Sequence, residues 1–253
     1  MGPTNLLKQQ PYKPFLNKIG QLLETSQFAK FSELMAVFLI GFLLIISFKS
    51  DHPSDLLYNQ LVVWFTNLIM LAMVFTGLKL RKEKISHFGL SFKKFSWKFG
   101  VKTFFQSLLV FILGVAGFVI GSIIMANIVG IPEGSDMSAY NYLKDNIWML
   151  LLSLTGIYVV SSFGEEVIYR AFLINRISEL GLRDKKGKIL TVLISAIIFG
   201  LAHYSWGLMG IVQTGCMGLV LGTSYVYLKK RIWVLIFAHA YMDTVLMLQL
   251  YFA

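Results

Sequence analysis

Long apolar stretches separated by short polar loops make up most of the chain. A transmembrane helix needs about 20 mostly apolar residues, and about seven segments approach or exceed that length. These are Phe31–Phe48, Gln60–Leu80, Val101–Gly130, Ile147–Asn175, Ile189–Tyr204, Gly207–Leu228 and Ile232–Tyr251. The pattern predicts an all-α, polytopic membrane helix bundle of about seven transmembrane helices, or eight if the long third segment breaks at its glycines.

The arrangement of these segments predicts a single integral membrane domain over residues 1–253. Residues 1–30 precede the first apolar segment and form a polar, basic tail. Because this tail is long and polar, it lacks the form of a cleavable signal peptide. Residues 147–251 contain the helices that carry the candidate chemistry.

The composition excludes several other protein classes. Hydrophobic residues make up 56% of the chain and charged residues only 14%, whereas soluble domains contain about 25% charged residues. Disorder, a coiled coil and a collagen-like repeat do not fit this composition. A secreted disulfide scaffold is excluded because Cys216 is the only cysteine.

The net charge of +10 lies mainly in the loops and in the tail. Basic residues cluster in residues 79–102, 176–188 and 229–231, which predicts a cytoplasmic N-terminus and an external C-terminus by the positive-inside rule. The segment from Lys79 to Lys102 also contains aromatic residues and is a candidate amphipathic surface helix. No basic face of a known nucleic-acid-binding module is present, so we expect membrane lipids and no nucleic acid as partners.

Two stripes of small residues predict close helix packing. Gly117 and Gly121 are four residues apart, as are Thr214, Gly218 and Gly222. Small residues at this spacing let neighbouring helices approach closely in lipid. We expect contacts within the bundle at both stripes.

Ionisable side chains within the apolar segments are the strongest functional signal. Each costs at least about 2.5 kcal/mol in the membrane, so such residues are retained mainly for function or pairing. We expect Glu33, at a segment end, to lie near water. The residues well inside apolar context are Glu165, Glu166, Arg170, His203, His239 and Asp243. The helical rise places most of them at similar depth, with His203 further out, so they can converge on one cavity.

The spacing of the first three suggests separate roles. Glu166 and Arg170 are four residues apart, which favours an ion pair on one helix face. Glu165 points about 100° away and is left free for general acid or base chemistry. The pair alone is also a common structural feature.

The later residues allow similar interpretations. His239 and Asp243 are also four apart, so Asp243 can fix the tautomer of the imidazole, or the two can clamp neighbouring helices. Phe199 lies one turn before His203 and would wall its ring, while His203 can equally be a packing residue. Three nearby serines fit packing, since no G-x-S-x-G motif accompanies them: Ser161, Ser162 and Ser195.

Three motifs formed by these residues resemble those of the CPBP family of intramembrane CAAX proteases and bacteriocin-processing enzymes. The family motifs are Glu-Glu-x-x-x-Arg, Phe-x-x-x-His and His-x-x-x-Asn/Asp, each on its own membrane helix. They correspond here to Glu165 to Arg170, Phe199 to His203 and His239 to Asp243. The resemblance covers approximately Ile147 to Tyr251.

The resemblance implies an intramembrane peptidase acting on a membrane-associated peptide or protein substrate. Glu165 and His203 would activate a water, and His239 and Asp243 would face the scissile carbonyl. Glu166, Arg170 and Phe199 would support the site. Asp243 stands where the family often has an amide, so we expect it to be protonated or to orient His239.

The family is commonly described as metalloproteases, which raises the question of a metal. Glu165, His203 and His239 would form a zinc ligand set. There is no H-E-x-x-H motif, and a glutamate and histidine can activate water by general base chemistry. We therefore expect no tightly bound metal, with a divalent ion such as zinc as the alternative.

The substrate classes implied are a prenylated CAAX tail or a bacteriocin or pheromone precursor. The small size of the protein and its short loops favour a location in a bacterial cell membrane. Two other functions remain open from sequence. One is a non-catalytic self-immunity or peptide-binding membrane protein, and the other is a proton-coupled transporter, since membrane carboxylates and histidines also form proton relays.

Overall fold

The structure is a computed structural model that describes residues 12–52, 55–91, 96–130 and 140–252. Every regular element within these residues is helical, which confirms the predicted all-α bundle. In chain order the elements are α1 (Tyr12–Thr25), α2 (Gln27–Phe48), α3 (Leu56–Leu80), a 3-10 turn (Ile85–Phe88), α4 (Trp97–Val129), α5 (Ile147–Ile157), the π-helix π1 (Tyr158–Ile174), α6 (Asn175–Glu179), α7 (Lys185–Leu201), a second 3-10 turn (Tyr204–Trp206), α8 (Gly207–Tyr227) and α9 (Ile232–Phe252).

Six helical stretches in the described part of the chain are long and apolar enough to cross a membrane. The remaining predicted segment forms α7, whose 17 residues lie at the short end of transmembrane length. The long third segment forms the single unbroken helix α4. The seven-helix prediction therefore agrees with the structure better than the eight-helix alternative.

Polar capping residues determine where several helices begin. The side chains of Ser26, Ser96, Asn146 and Asp184 each accept a backbone N–H in the first turn of α2, α4, α5 and α7. A capping residue belongs to the polar flank of an apolar segment. For this reason α2, α4 and α7 begin about one turn before the apolar stretches predicted from sequence.

Both stripes of small residues lie in helix contacts. A Cβ added at Gly121 of α4 would lie 2.8 Å from the Cα of Gln213 on α8. One added at Gly218 of α8 would lie 2.9 Å from the ring of Phe199 on α7. Helix α8 therefore packs closely between α4 and α7, as the glycine spacing predicts.

The structure differs from the prediction at the polar N-terminal tail and at the candidate amphipathic helix from Lys79 to Lys102. Residues 1–11 lie outside the described residues, and the rest of the 1–30 stretch forms α1 and the start of α2. The segment from Lys79 to Lys102 is divided among the end of α3, the first 3-10 turn and the start of α4. Residues 92–95 lie outside the described part, so a continuous amphipathic helix over this segment is not observed.

A group of paired charges, with two buried arginines and three partly buried glutamates, joins α2, the loop after α3 and α6 at one end of the bundle. Arg81 pairs with Glu33 and, at 3.2 Å, with Glu179. Arg176 donates hydrogen bonds to Glu179 at 2.7 Å and to Glu83 at 2.6 and 3.1 Å. Both guanidinium groups are about 1% exposed. We call these five residues the Glu33 cluster.

Glu33, expected from its place at a segment end to lie near water, also pairs with Arg81, and its side chain is 10% exposed. Opposite charges can be buried when they are paired, and the partners of Glu33 lie far away in sequence. Burial acts to raise the pKa of Glu83, but the hydrogen bonds and charge of Arg176 outweigh burial. They hold the pKa of Glu83 below its ordinary value.

Candidate active site

The first motif lies on the π-helix π1, which continues α5 and leads into α6 as one long helix, Ile147–Glu179. A π-helix has i→i+5 hydrogen bonds, and π turns within helices occur frequently at functional sites. Glu166 and Arg170 are fully buried within it, whereas Glu165 is partly exposed. The two adjacent glutamates therefore occupy different environments.

The carboxylate of Glu166 connects π1 to α9. Its Oε1 lies 3.2 Å from Nη1 of Arg170 and accepts a hydrogen bond of 2.8 Å from Nδ1 of His239. His239 is itself buried, with 4% of the residue exposed. The sequence indicated the contact with Arg170, but the contact with His239 crosses between helices and is not visible in the spacing.

Arg170 is held differently from an ordinary buried arginine. None of its three side-chain nitrogens makes a hydrogen bond within the described residues, although buried polar groups normally do. Its Cζ lies 4.1 Å from the centre of the Phe199 ring. Its charge is thus balanced by Glu166 and by the face of an aromatic ring.

The ring of Phe199 is the point at which the three motifs meet. Its centroid lies 5.1 Å from that of Tyr169 on π1, 4.9 Å from that of His203 and 6.4 Å from that of His239 on α9. The ring is fully buried. Phe199 packs against His203, as expected from their spacing. The same ring also contacts Arg170 and His239 of the third motif.

His203 lies just beyond α7, which ends at Leu201. Its Nδ1 is 2.9 Å from the carbonyl oxygen of Phe199. Because a carbonyl can only accept, Nδ1 carries the proton, and in the neutral ring Nε2 is left as an acceptor. The centroid of the Trp206 ring lies 5.0 Å from that of the His203 ring. Trp206 was not among the residues predicted to form the site.

The contact between His239 and Asp243 differs from the one that their spacing suggested. Nε2 and Oδ1 are 3.9 Å apart, which is too long for a hydrogen bond. Asp243 instead accepts a 2.7 Å hydrogen bond from the hydroxyl of Ser162 on π1. Glu166 therefore orients His239, and Ser162 orients Asp243. The signal for Ser162 was its position one helical turn before Glu166.

Glu165 makes no hydrogen bond or ion pair with any residue that the structure describes. It nevertheless lies within electrostatic reach of His239 and Asp243. A carboxylate inside a membrane span is costly unless it is paired or functional. Glu165 is the member of the first motif whose oxygens remain available to water or substrate.

The proposed zinc ligands do not form a metal-binding arrangement. Among the described residues, no group of three His, Cys, Asp or Glu side chains is placed to hold a metal ion. Glu165, His203 and His239 as arranged here do not fit a three-ligand zinc centre, and no step below involves a metal.

One protein family resembles the region of the chain that carries the candidate site. Residues 146–245 match the family model described as Type II CAAX prenyl endopeptidase Rce1-like. No curated protein and no solved structure matches the chain. The matched residues contain all three motifs and nearly coincide with the region expected from the resemblance. Over these residues, which are less than half of the chain, the protein is similar to the Rce1-like CAAX prenyl endopeptidase family.

Proposed function

We propose that the protein is an intramembrane endopeptidase in which Glu165 acts as the general base. The observation that carries this proposal is the contrast between the two glutamates. Glu166 is engaged by Arg170 and His239, whereas Glu165 is partly exposed and makes no hydrogen bond or ion pair within the described residues. A carboxylate beside other titratable groups, and itself uncommitted, is suited to proton transfer.

In the proposed reaction, Glu165 takes a proton from a water whose other proton is held by Nε2 of His203. The water oxygen attacks the scissile carbonyl carbon, and the carbonyl oxygen becomes negatively charged. Glu165 then gives its proton to the departing amine nitrogen, which completes hydrolysis and restores the carboxylate. The proton that Glu165 takes from water is the one that it returns to the amine, so the reaction needs no further acid.

His239 is proposed to stabilise the developing negative charge. With Nδ1–H donated to Glu166, a second proton on Nε2 can be donated to the oxyanion. Asp243 faces Nε2 at 3.9 Å and is held by Ser162.

The proposed substrate is a lipidated or membrane-inserted peptide. The candidate carboxylates and His239 lie on two helices long and apolar enough to span a membrane, so a soluble peptide would have to enter the bilayer to reach them. A CAAX-type tail is the substrate class that the family name supports. A bacteriocin or pheromone precursor would present the same kind of membrane-bound peptide bond.

The decisive experiment compares new peptide termini in cells that carry wild-type protein, Glu165→Gln or Glu24→Gln at matched levels. Glu24 is exposed on α1 and provides the same change away from the site. We expect termini produced by wild type and Glu24→Gln to fall at least about 100-fold with Glu165→Gln. Mass spectrometry of membranes and medium measures them.

Identical catalogues in all three strains would contradict the peptidase proposal. If self-immunity to a bacteriocin then survived in Glu165→Gln, a peptide-binding role would replace it. Proton flux into proteoliposomes that disappeared with Glu165→Gln would instead indicate a transporter.

A further inference from the structure

A cavity of about 290 Å³ lies between the first turns of α4 and of α9 and shares no lining residue with the candidate active site. Its basic wall is formed by the loop between α8 and α9, and its apolar wall by aromatic side chains. The principal lining residues are Phe99, Thr103, Lys229, Lys230, Arg231 and Trp233. None of the described residues that line it is acidic.

Arg231 is fixed in this cavity by uncharged partners. Its Nη2 donates a 3.0 Å hydrogen bond to Thr103, its Nη1 bonds Gln106, and its Cζ lies 5.1 Å from the Phe99 ring centre. No described carboxylate forms an ion pair with it. Its positive charge is therefore held in place without a counterion from the described part of the chain.

The two lysines before Arg231 lie in a tight turn. Lys229 and Lys230 have φ angles of 52° and 64°, which are uncommon for residues other than glycine. Lys230 lies within electrostatic reach of Glu179 and Glu83 of the Glu33 cluster. Lys229 is exposed at the cavity. Lys229 and Arg231 are thus the cations best placed to meet an anion.

The surroundings of the cavity are those of a membrane boundary. It lies where α8 ends and where α4 and α9 begin, and Trp97 in the first turn of α4 is 79% exposed, as is common for tryptophan at the interface. A second, largely apolar depression of about 220 Å³ lies on the same turns of α4, between Trp97 and Phe105.

We propose that this cavity binds the phosphate of an anionic phospholipid, with the acyl chains along the apolar surface of α4. Basic pockets between transmembrane helices are suited to anionic head groups. The aromatic wall and the neighbouring apolar depression favour a lipid over free phosphate, which has no use for either. The site is separate from the peptidase residues and does not depend on the proposed reaction.

The test measures lipid retention by the purified full-length protein in detergent, using native mass spectrometry. The probes are phosphatidylglycerol and phosphatidylcholine with identical acyl chains. We expect wild type to retain phosphatidylglycerol preferentially. Arg231→Gln should reduce that preference about fivefold, and Lys229→Gln by a similar or smaller factor, as expected for single cations near a membrane surface.

Arg183→Gln is the matched control, because Arg183 is an exposed loop arginine that does not line the cavity. It should change the preference less than twofold. Lys229→Gln keeps the test informative if Arg231→Gln fails to fold. The proposal is overturned if the Arg231 and Lys229 variants keep wild-type preference, or if Arg183→Gln lowers it equally. Displacement of phosphatidylglycerol by inorganic phosphate at equal concentration would overturn the lipid assignment.

Discussion

The two groups of buried charges in this molecule differ in how completely their members are paired. In the Glu33 cluster, Arg176 donates three hydrogen bonds to Glu83 and Glu179. At the candidate active site, Arg170 donates none to a described residue, and Glu165 lacks both a hydrogen bond and an ion pair there. Buried polar groups that pair with one another stabilise a fold, and those left open are available for chemistry.

The charge count strengthens this contrast. The Glu33 cluster has three carboxylates and two guanidinium groups, and Lys230 lies close enough to act on Glu83 and Glu179. With Lys230 counted as a neighbour, three positive charges face three negative charges. The candidate active site has three carboxylates and one arginine, so its balance depends on protons carried by histidine. A site whose charge changes with protonation is suited to move protons.

Replacing one buried arginine in each group should give the largest difference between them. Arg176→Met should lower the free energy of unfolding by about 3–5 kcal/mol, since it removes a buried guanidinium and leaves two partly buried carboxylates without their main partner. Arg170→Met should cost less, because Glu166 keeps His239 as a partner. Denaturant unfolding in mixed micelles measures both. Equal losses of unfolding free energy would show that the two groups of charges contribute equally to stability, which would contradict the comparison.

The adjacent glutamates provide a finer test with one chemical change. Glu166→Gln should lower the free energy of unfolding by about 1–3 kcal/mol, because it weakens hydrogen bonding between charged buried groups. Glu165→Gln should leave stability within about 0.5 kcal/mol of wild type, while removing peptidase activity. A Glu165 variant that unfolds as readily as the Glu166 variant would contradict the assignment of Glu165 as the uncommitted carboxylate.

The smallest expected effect concerns acid stability. Because the pKa of Glu83 is lowered in the folded protein, its pairing stabilises the fold above its unfolded-state pKa. That contribution is lost as the pH falls through the folded-state pKa. Glu83→Gln should therefore be less stable than wild type at neutral pH and change less on acidification.

Melting temperatures measured between neutral and acidic pH provide the comparison for Glu83. Glu24→Gln, on the exposed face of α1, should keep the wild-type pH dependence. If the Glu83 and Glu24 variants behaved alike, the Glu33 cluster would not be a source of acid sensitivity.

The bundle and the three motifs were predictable because both are local properties of the sequence. Apolar length marks the spans, and the spacing of Glu166 and Arg170 already places them in contact. Glycine spacing indicated that helices pack closely at Gly121 and Gly218, but spacing along one helix does not identify which side chains of a neighbouring helix it meets. The pairings of Glu166 with His239 and of Ser162 with Asp243 were therefore not predictable.

The π-helical conformation of Tyr158–Ile174 was also not predictable from the sequence. An α and a π turn differ by about one residue, and the same apolar segment suits either. The choice depends on packing, and most of π1 is buried against other helices. The 100° step assumed between the two glutamates belongs to an α-helix and does not describe this segment.

The Glu33 cluster also sets an order of events during synthesis of the chain. Arg81 and Glu33 are 48 residues apart, but Arg176 emerges 93 residues after Glu83. At about 5–20 residues per second, that interval lasts roughly 5–20 seconds. Throughout it, Glu33 on α2 can be neutralised by Arg81, which follows α3, while Glu83 in the same loop still lacks Arg176. The first helical hairpin can therefore pair its α2 glutamate early, and the cluster is completed only when α6 arrives.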